Sequence, residues 1–385
     1  MKHYDFAVVG GGPSGASAAR YLAKNGASVV LFERKKMPRR KPCGGALSEQ
    51  AMSYLDFPIP ESLVDWQVFG TRVHFGVHTV DARLNERIAV LVTRAELDEF
   101  LLSKARECGA DVLWLEVKSI EQRNRDVILS TPQGVFRTRC VIICEGANRK
   151  LSRTVRRADS NDAQGICVEA EIPAERLDEY PDLNGLIDLY FGLAGHGYGW
   201  VFDHGSYYSV GIGGLCSRFK SPMSTFYRFT RDIGVEPDGI VPKGHFIPCG
   251  GIKRNLCADG IILAGDAAGF VDPFYGEGLA YAIRSGQFAA EVALKAAQEN
   301  DFSRSNLALY QDRCYRAFGR NLRYSLILTR LMHRFPSLML RMLSSDKEVL
   351  RKYLLVPSMK ISCRQYLQWV IMKLPLFLLR TRFAG

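Results

Sequence analysis

The apolar positions begin in a short block broken only by Asp5. Tyr4 to Val9 reads as a buried strand, followed by a Gly-rich turn. Ser14 to Asn25 reads as an Ala-rich helix, and Ser28 to Phe32 as a second apolar strand ending at Glu33-Arg34. Together they predict a βαβ unit. A polar, basic segment from Lys35 to Lys41 leads into Pro42-Cys43-Gly44-Gly45. The spacing predicts an amphipathic helix over Arg94 to Glu107. It predicts strands over Val112 to Ser119 and Val127 to Thr131, with Pro132-Gln133-Gly134 as a turn. Val141 to Cys144 reads as a short buried strand before Glu145-Gly146. Residues 160–255 are rich in strand formers and Gly and read as a sheet domain. Ile261 to Ala264 returns as a buried strand before Gly265-Asp266, and Gly278 to Gln298 reads as a long helix. After Ser303 the pattern is helical, with breaks expected at Pro336, Pro357 and Pro375.

The predicted fold class is α/β. A Rossmann-like nucleotide domain is expected from 1–60, 90–155 and 256–300. A β-sheet domain from 61–89 and 156–255 is expected to bind substrate, and a basic helical C-terminal region to fill 301–385. A length of 385 residues with 47% hydrophobic content supports a large core and excludes a disordered chain. The ten cysteines include no Cys-x-x-Cys pair, so no metal site is expected. The chain opens directly into a strand-like run, with no secretory pattern ahead of it, so a reducing cytoplasmic setting is expected.

Charge adds an asymmetry to the net +11. From Arg304 onward, 16 Lys and Arg stand against Asp312, Asp346 and Glu348. The apolar runs in 322–343 and 366–383 are interrupted by Arg or Lys. They suit a peripheral position on a membrane surface rather than a span, or a helical cap on the sheet domain. The segment is too apolar for nucleic-acid binding to be expected.

The candidate chemistry begins at Gly10-x-Gly12-x-x-Gly15, between strand and helix. The glycines serve a tight turn, close approach to a pyrophosphate, and helix–strand packing, while the helix N-terminus favours phosphate. Glu33 closes the second strand, 18 residues after Gly15, where it can accept from a ribose diol. These features predict a dinucleotide. The second element, Ile261 to Ala268 followed by Pro273-Phe274-Tyr275-Gly276-Glu277-Gly278-Leu279, points to FAD rather than NAD. Asp266 is placed for a ribityl chain, and the helix beginning near Gly278 offers amides to a flavin ring edge that gains negative charge.

The two motifs, roughly 250 residues apart, resemble the glutathione-reductase-type FAD fold in its p-hydroxybenzoate hydroxylase-like branch. More narrowly, the chain resembles the geranylgeranyl reductase family over about residues 1–320. Lys41-Pro42-Cys43-Gly44-Gly45, Thr93 to Asp98, Gly265 to Gly278 and Tyr198-Gly199-Trp200-Val201-Phe202 carry that resemblance. Two positions depart from the family pattern: Asp203 stands where a Pro is usual, and Glu145-Gly146 where Asp-Gly is usual.

The resemblance implies an FAD-dependent reductase that saturates C=C bonds of an isoprenoid chain, by hydride from N5 of reduced flavin and a proton to the second carbon. It implies cofactor contacts from Gly10, Gly12, Ser14, Gly15, Glu33, Arg34, Cys43, Gly44, Gly45, Arg94, Val117, Asp266, Gly276, Gly278 and Leu279. Tyr198, Trp200 and Phe202 would line one strand face as an apolar wall for substrate, an isoprenoid lipid or prenyl diphosphate. Cys43 either assists proton delivery or only shapes the pocket. His196 in Gly195-His196-Gly197 reads as a loop residue with no catalytic part. No second GxGxxG unit is present, so the external reductant is NADPH or reduced ferredoxin. The rival readings are a flavin monooxygenase or halogenase, a quinone-linked electron-transfer flavoprotein without an iron–sulfur module, and a flavin-binding interaction protein.

Overall fold

The computed structural model describes residues 2–148, 150–250 and 255–382. Its nucleotide sheet is built on the Phe6–Val9 strand. That strand pairs in parallel with Val29–Phe32 on one side and Cys140–Ile143 on the other. The Ile261–Leu263 strand extends the sheet beyond Cys140–Ile143, and Asp111–Leu113 lies beyond Val29–Phe32. Helices and a small side sheet of Ser119–Arg123, Asp126–Thr131 and Gly134–Thr138 cover this sheet, so its strands are apolar throughout instead of alternating. The chain leaves the central strand toward one neighbour and returns on the other side. That reversal opens a crevice at the carboxyl ends of the strands. Gly10, Glu33, Cys144 and Gly265 all fall within two residues of those ends.

The Pro13–Lys24 and Leu279–Gln298 helices cross closely over this sheet. Gly286 makes the crossing feasible, because a Cβ there would lie 2.2 Å from the Ser14 carbonyl oxygen. Leu307, Tyr310, Phe318 and Leu322 join the same core. A π-helical turn at Tyr315–Gly319 carries the chain past it.

The second large sheet runs in the order Lys243–Pro248, Gln164–Pro173, Tyr207–Leu215, Tyr198–Asp203, Leu186–Phe191, Gly70–Phe75, His78–Arg83. Its pairings are antiparallel except between Leu186–Phe191 and Gly70–Phe75. The two faces bury different cores. Val201, Val210 and Ile212 pack under the Pro222–Asp232 helix with Phe226 and Phe229. Trp200 and Phe202 face the other way, into a core shared with Leu328, Leu340, Tyr353 and Tyr366. The Pro336–Ser345 and Lys347–Leu354 helices pack on the Gly70–Phe75 and His78–Arg83 edge. The C-terminal helices thus cap the sheet domain.

Two local expectations need correction. The strand expected over Val112 to Ser119 is split, because its ends serve different sheets. Asp111–Leu113 joins the nucleotide sheet, and Ser119–Arg123 pairs with Asp126–Thr131. Pro375 does not break the chain: it lies inside the Cys363–Arg382 helix, where burial of Val370 and Phe377 outweighs one lost donor. Pro336, by contrast, opens a helix at a position that needs no amide donor.

His196 adopts φ +56° at a tight loop, and its ring stacks on His333 of the Arg320–Arg334 helix at 4.0 Å between centroids. Burial and the neighbouring His196 lower the His333 pKa to about 4 from 6.5. A neutral stacked ring therefore favours the fold above pH 6.5, and this stabilisation is lost as pH falls through about 4. Thermal unfolding followed between pH 7 and 4 should show stability falling with acidification in that window. His333→Phe should make the fall shallower.

Candidate functional site

At the first strand end, two glycines meet a steric limit. Gly10 has φ +109°, and a Cβ on it would lie 2.3 Å from the Cys144 carbonyl oxygen. A Cβ on Gly15 would lie 1.8 Å from the Gly10 carbonyl oxygen. The result is a cradle of backbone that side chains would fill. Gly12 precedes the first helical residue and leaves its surface open, with Arg39 the nearest side chain. Ser14 is buried in the first turn and its Oγ lies 3.5 Å from Cys144 Sγ. Glu33 is buried and accepts from the Gly11 and Lys35 amides at 2.8 and 3.0 Å. Arg34, beside it, is exposed, and Val117 is buried in the core near the side sheet.

The second loop begins at Gly265, with φ +61°, held by the Ser285 hydroxyl, which accepts from the Gly265 amide at 2.9 Å. Asp266 follows. Burial pushes its carboxyl pKa up, opposed by the positive charges of Lys41 and Arg94. A Cβ on Gly278 would stand 3.8 Å from Asp266 Oδ1, so the carboxylate faces the start of the Leu279–Gln298 helix. Leu279 opens that helix and is buried. Asp272 organises the loop from within, accepting from the Phe274 and Tyr275 amides and from the Ser325 hydroxyl. Glu277 accepts from the Ala280 amide at 2.9 Å, and burial raises its pKa to about 7.

A third loop completes the site. Arg94 and Asp98 form a fork-to-carboxylate pair, with Nε and Nη2 at 3.0 and 2.9 Å from Oδ1. Burial opposes the Arg94 charge, but Asp98 and Cys43 more than offset it and hold the guanidinium firmly protonated. Arg39 reaches the same Asp98 at 3.2 Å and Glu33 at 3.7 Å, linking the first strand end to this loop. Cys43 Sγ lies 3.5 Å from the Gly45 amide. Gly45 has φ +78°, and a Cβ there would meet the Val92 carbonyl and the His204 ring. A cleft of about 110 Å³ opens between Lys41, Cys43, Thr93, Arg94, Glu169 and Tyr207. A larger cleft, of about 420 Å³, lies along the Pro13–Lys24 helix near Arg20, Tyr54 and Arg284 and shares no lining residue with it.

Tyr198, Trp200 and Phe202 form one row, with successive ring centroids 6.3 and 6.4 Å apart. Each end of the row presses on a glycine. A Cβ on Gly276 would lie 2.4 Å from Tyr198 Oη, and one on Gly44 would lie 2.5 Å from the Phe202 ring. Trp200 faces Gly211 across the ladder and donates to Ser209 Oγ at 3.3 Å. The row therefore joins the Cys43–Gly45 loop to the Gly276–Gly278 loop. Asp203, the departure from the family pattern, accepts from the Gly205 amide at 2.7 Å and tightens the turn after the strand.

Sequence reasoning missed His204, the next inward residue of the row. Its Nδ1 lies 2.8 Å from Asp65 Oδ2 and its Nε2 3.1 Å from the Gly44 carbonyl oxygen. It also missed Asp272. The only signal for His204 was the period-two alternation beyond Phe202. Glu145, the second departure, accepts from the Lys150, Leu151 and Ser152 amides, a reach that spans the turn after its strand.

The FAD binding domain family (FAD_binding_3) matches residues 3–152. Geranylgeranyl diphosphate reductase of Rhodobacter capsulatus is 32% identical over 307 residues, covering 76% of this chain and 75% of that protein. The chain belongs to the geranylgeranyl reductase family. Digeranylgeranylglycerophospholipid reductase 2 of Methanothermobacter thermautotrophicus is 29% identical, covering 86% of this chain and 88% of that one. A geranylgeranyl bacteriochlorophyll reductase-like structure from Thermoplasma acidophilum superposes with a TM-score of 0.81 at 23% identity, covering 97% of both chains. As a family member the chain is an FAD-dependent oxidoreductase.

The residues present fit FAD. The glycine cradle leaves room that a Cβ would close, and the half-buried Asp266 carboxylate accepts no hydrogen bond from the described residues. Gly10→Ala imposes a left-handed backbone cost of about 1–3 kcal/mol besides the carbonyl clash. FAD affinity, measured by flavin retained on desalting and by titration, should fall about tenfold to a hundredfold.

Proposed function

We propose that this reductase saturates C=C bonds in the isoprenoid chain of a lipid or prenyl diphosphate. The carrying observation is the aromatic row, pressed against Gly44 at one end and Gly276 at the other. An isolated alkene offers no charge to grip. Recognition must therefore come from apolar surface held against the cofactor site, and the row supplies it. Gly10, Gly12, Ser14 and Gly15 would take the pyrophosphate, and Glu33 the ribose, with Arg34 and Val117 at the edges of that contact. Asp266 would take the ribityl chain. Cys43, Gly44, Gly45, Arg94, Gly276, Gly278 and Leu279 would surround the ring system. Bound FAD, when reduced, supplies a hydride. The protein's part is to orient the chain along Tyr198, Trp200 and Phe202, to exclude water, and to keep Arg94 charged beside Cys43.

The electron donor is external, NADPH or reduced ferredoxin. The C-terminal helices also present Phe335, Met359, Ile371, Met372 and Leu376 at the surface beside Arg334, Lys360 and Arg364. This mixture suits a peripheral position on an anionic membrane. Among the described residues no helix is long and apolar enough to cross a membrane.

Dithionite-reduced holoprotein mixed with geranylgeranyl diphosphate, or with an unsaturated archaeal-type ether lipid, should give product heavier by two hydrogens per bond. Added oxygen or halogen would select the monooxygenase or halogenase reading instead. Trp200→Ala should raise KM for the chain by roughly tenfold or more while FAD stays bound. In vesicle flotation at low salt, the wild type should rise with anionic vesicles, and Ile371→Asp with Met372→Asp should remain at the bottom.

A further inference from the structure

Just ahead of Cys43, the loop is held on the substrate sheet by two consecutive basic residues. Arg40 lies 3.1 Å from Glu171 and 3.5 Å from Glu169. Lys41 Nζ lies 2.6 Å from His245 Nε2. Cys167 and His245 are register partners on adjacent strands, and Cys167 Sγ lies 3.5 Å from the His245 carbonyl oxygen. Alternation puts Glu169 and Glu171 on the same face as Cys167. A surface otherwise suited to an apolar chain thus carries one tight nitrogen–nitrogen contact, and that contact requires a lone pair on one partner. The two groups therefore share one proton rather than holding two.

We propose that Lys41 and His245 form a shared-proton pair that supplies the proton to the alkene carbon not receiving the hydride. This rests on the reading of the chain as a prenyl reductase. In the step, the π electrons of the C=C bond would form the new C–H bond with the proton leaving the pair, the hydride for the other carbon being what bound, reduced FAD would supply. The pair is left neutral and is reprotonated from water through the cleft lined by Lys41 and Glu169.

The charged surroundings favour release. Burial lowers the Lys41 pKa, reinforced by Arg94 and opposed by Asp266, Cys43 and Cys167. Burial, Lys41 and Arg94 together bring the His245 pKa down to about 3, so the imidazole is the neutral partner and Lys41 holds the proton. Burial raises the pKa of nearby Glu169 to about 7, opposed by Arg40, so a further proton is available beside the pair near neutral pH. Lys41 and Cys43 line one cleft, and Gly44, next to Cys43, lies against Phe202 at the end of the aromatic row.

The test uses the full-length FAD-loaded protein and two readouts. In the oxidised holoprotein, NMR of the His245 ring should show no protonation down to about pH 4. In Lys41→Met the midpoint should rise toward the ordinary imidazole value of 6.5, whereas Lys41→Arg should keep it low. Single-turnover oxidation of the reduced holoprotein by geranylgeranyl diphosphate should slow about 100-fold or more in both variants, the usual worth of a positioned acid. Flavin content and substrate affinity should not change. Wild-type rates in Lys41→Met, or an unmoved His245 midpoint, would overturn the pair. A wild type that reduces no prenyl substrate but shows the His245 shift would overturn the prenyl reading, and with it the donor role, while upholding the shared proton.

Discussion

The structure depends on a close approach between aromatic rings and bare backbone. Phe202 rests where a Gly44 side chain would be, and Tyr198 where a Gly276 side chain would be. These two contacts tie the substrate sheet to the loops at the carboxyl ends of the nucleotide sheet. They leave no gap between the aromatic row and those loops. A methyl at either glycine would force the facing ring to shift.

Electrostatics follows from the same closure. The site gathers Asp266, Asp98, Glu33, Arg94 and Lys41 within one region, Asp98 and Glu33 buried and the others partly so, and each acid has a cation or amide nearby. Removing one partner of a buried pair is costly, typically about 3–5 kcal/mol. The Arg39–Asp98–Arg94 group therefore works as a unit, and it links the glycine turn to the cysteine loop. Glu33 takes part as well, facing Arg39 while it accepts from the Gly11 and Lys35 amides.

Much of this was legible in the sequence because the constraints are local. The spacing of Gly10, Gly12 and Gly15, the acid at a strand end, and the alternation of Tyr198, Trp200 and Phe202 each depend on a few neighbouring residues. The long-range partners were not legible. Lys41 and His245 are 204 residues apart, and His204 and Asp65 are 139 apart. Only sheet register brings them together. The tail shows the same limit. Its helices could be read from periodicity, but not that Pro375 would be accommodated, nor which face would pack on the His78–Arg83 edge.

One contact reaches from the tail into the site. The Ser325 hydroxyl donates to Asp272, the buried carboxylate that shapes the loop between Asp266 and Gly278. The C-terminal region is therefore not an interchangeable module. A chimera that swaps this region between relatives to change substrate preference would have to keep a hydroxyl at position 325. Without it, the graft would loosen the Asp272 turn and the Gly265–Gly278 loop around it.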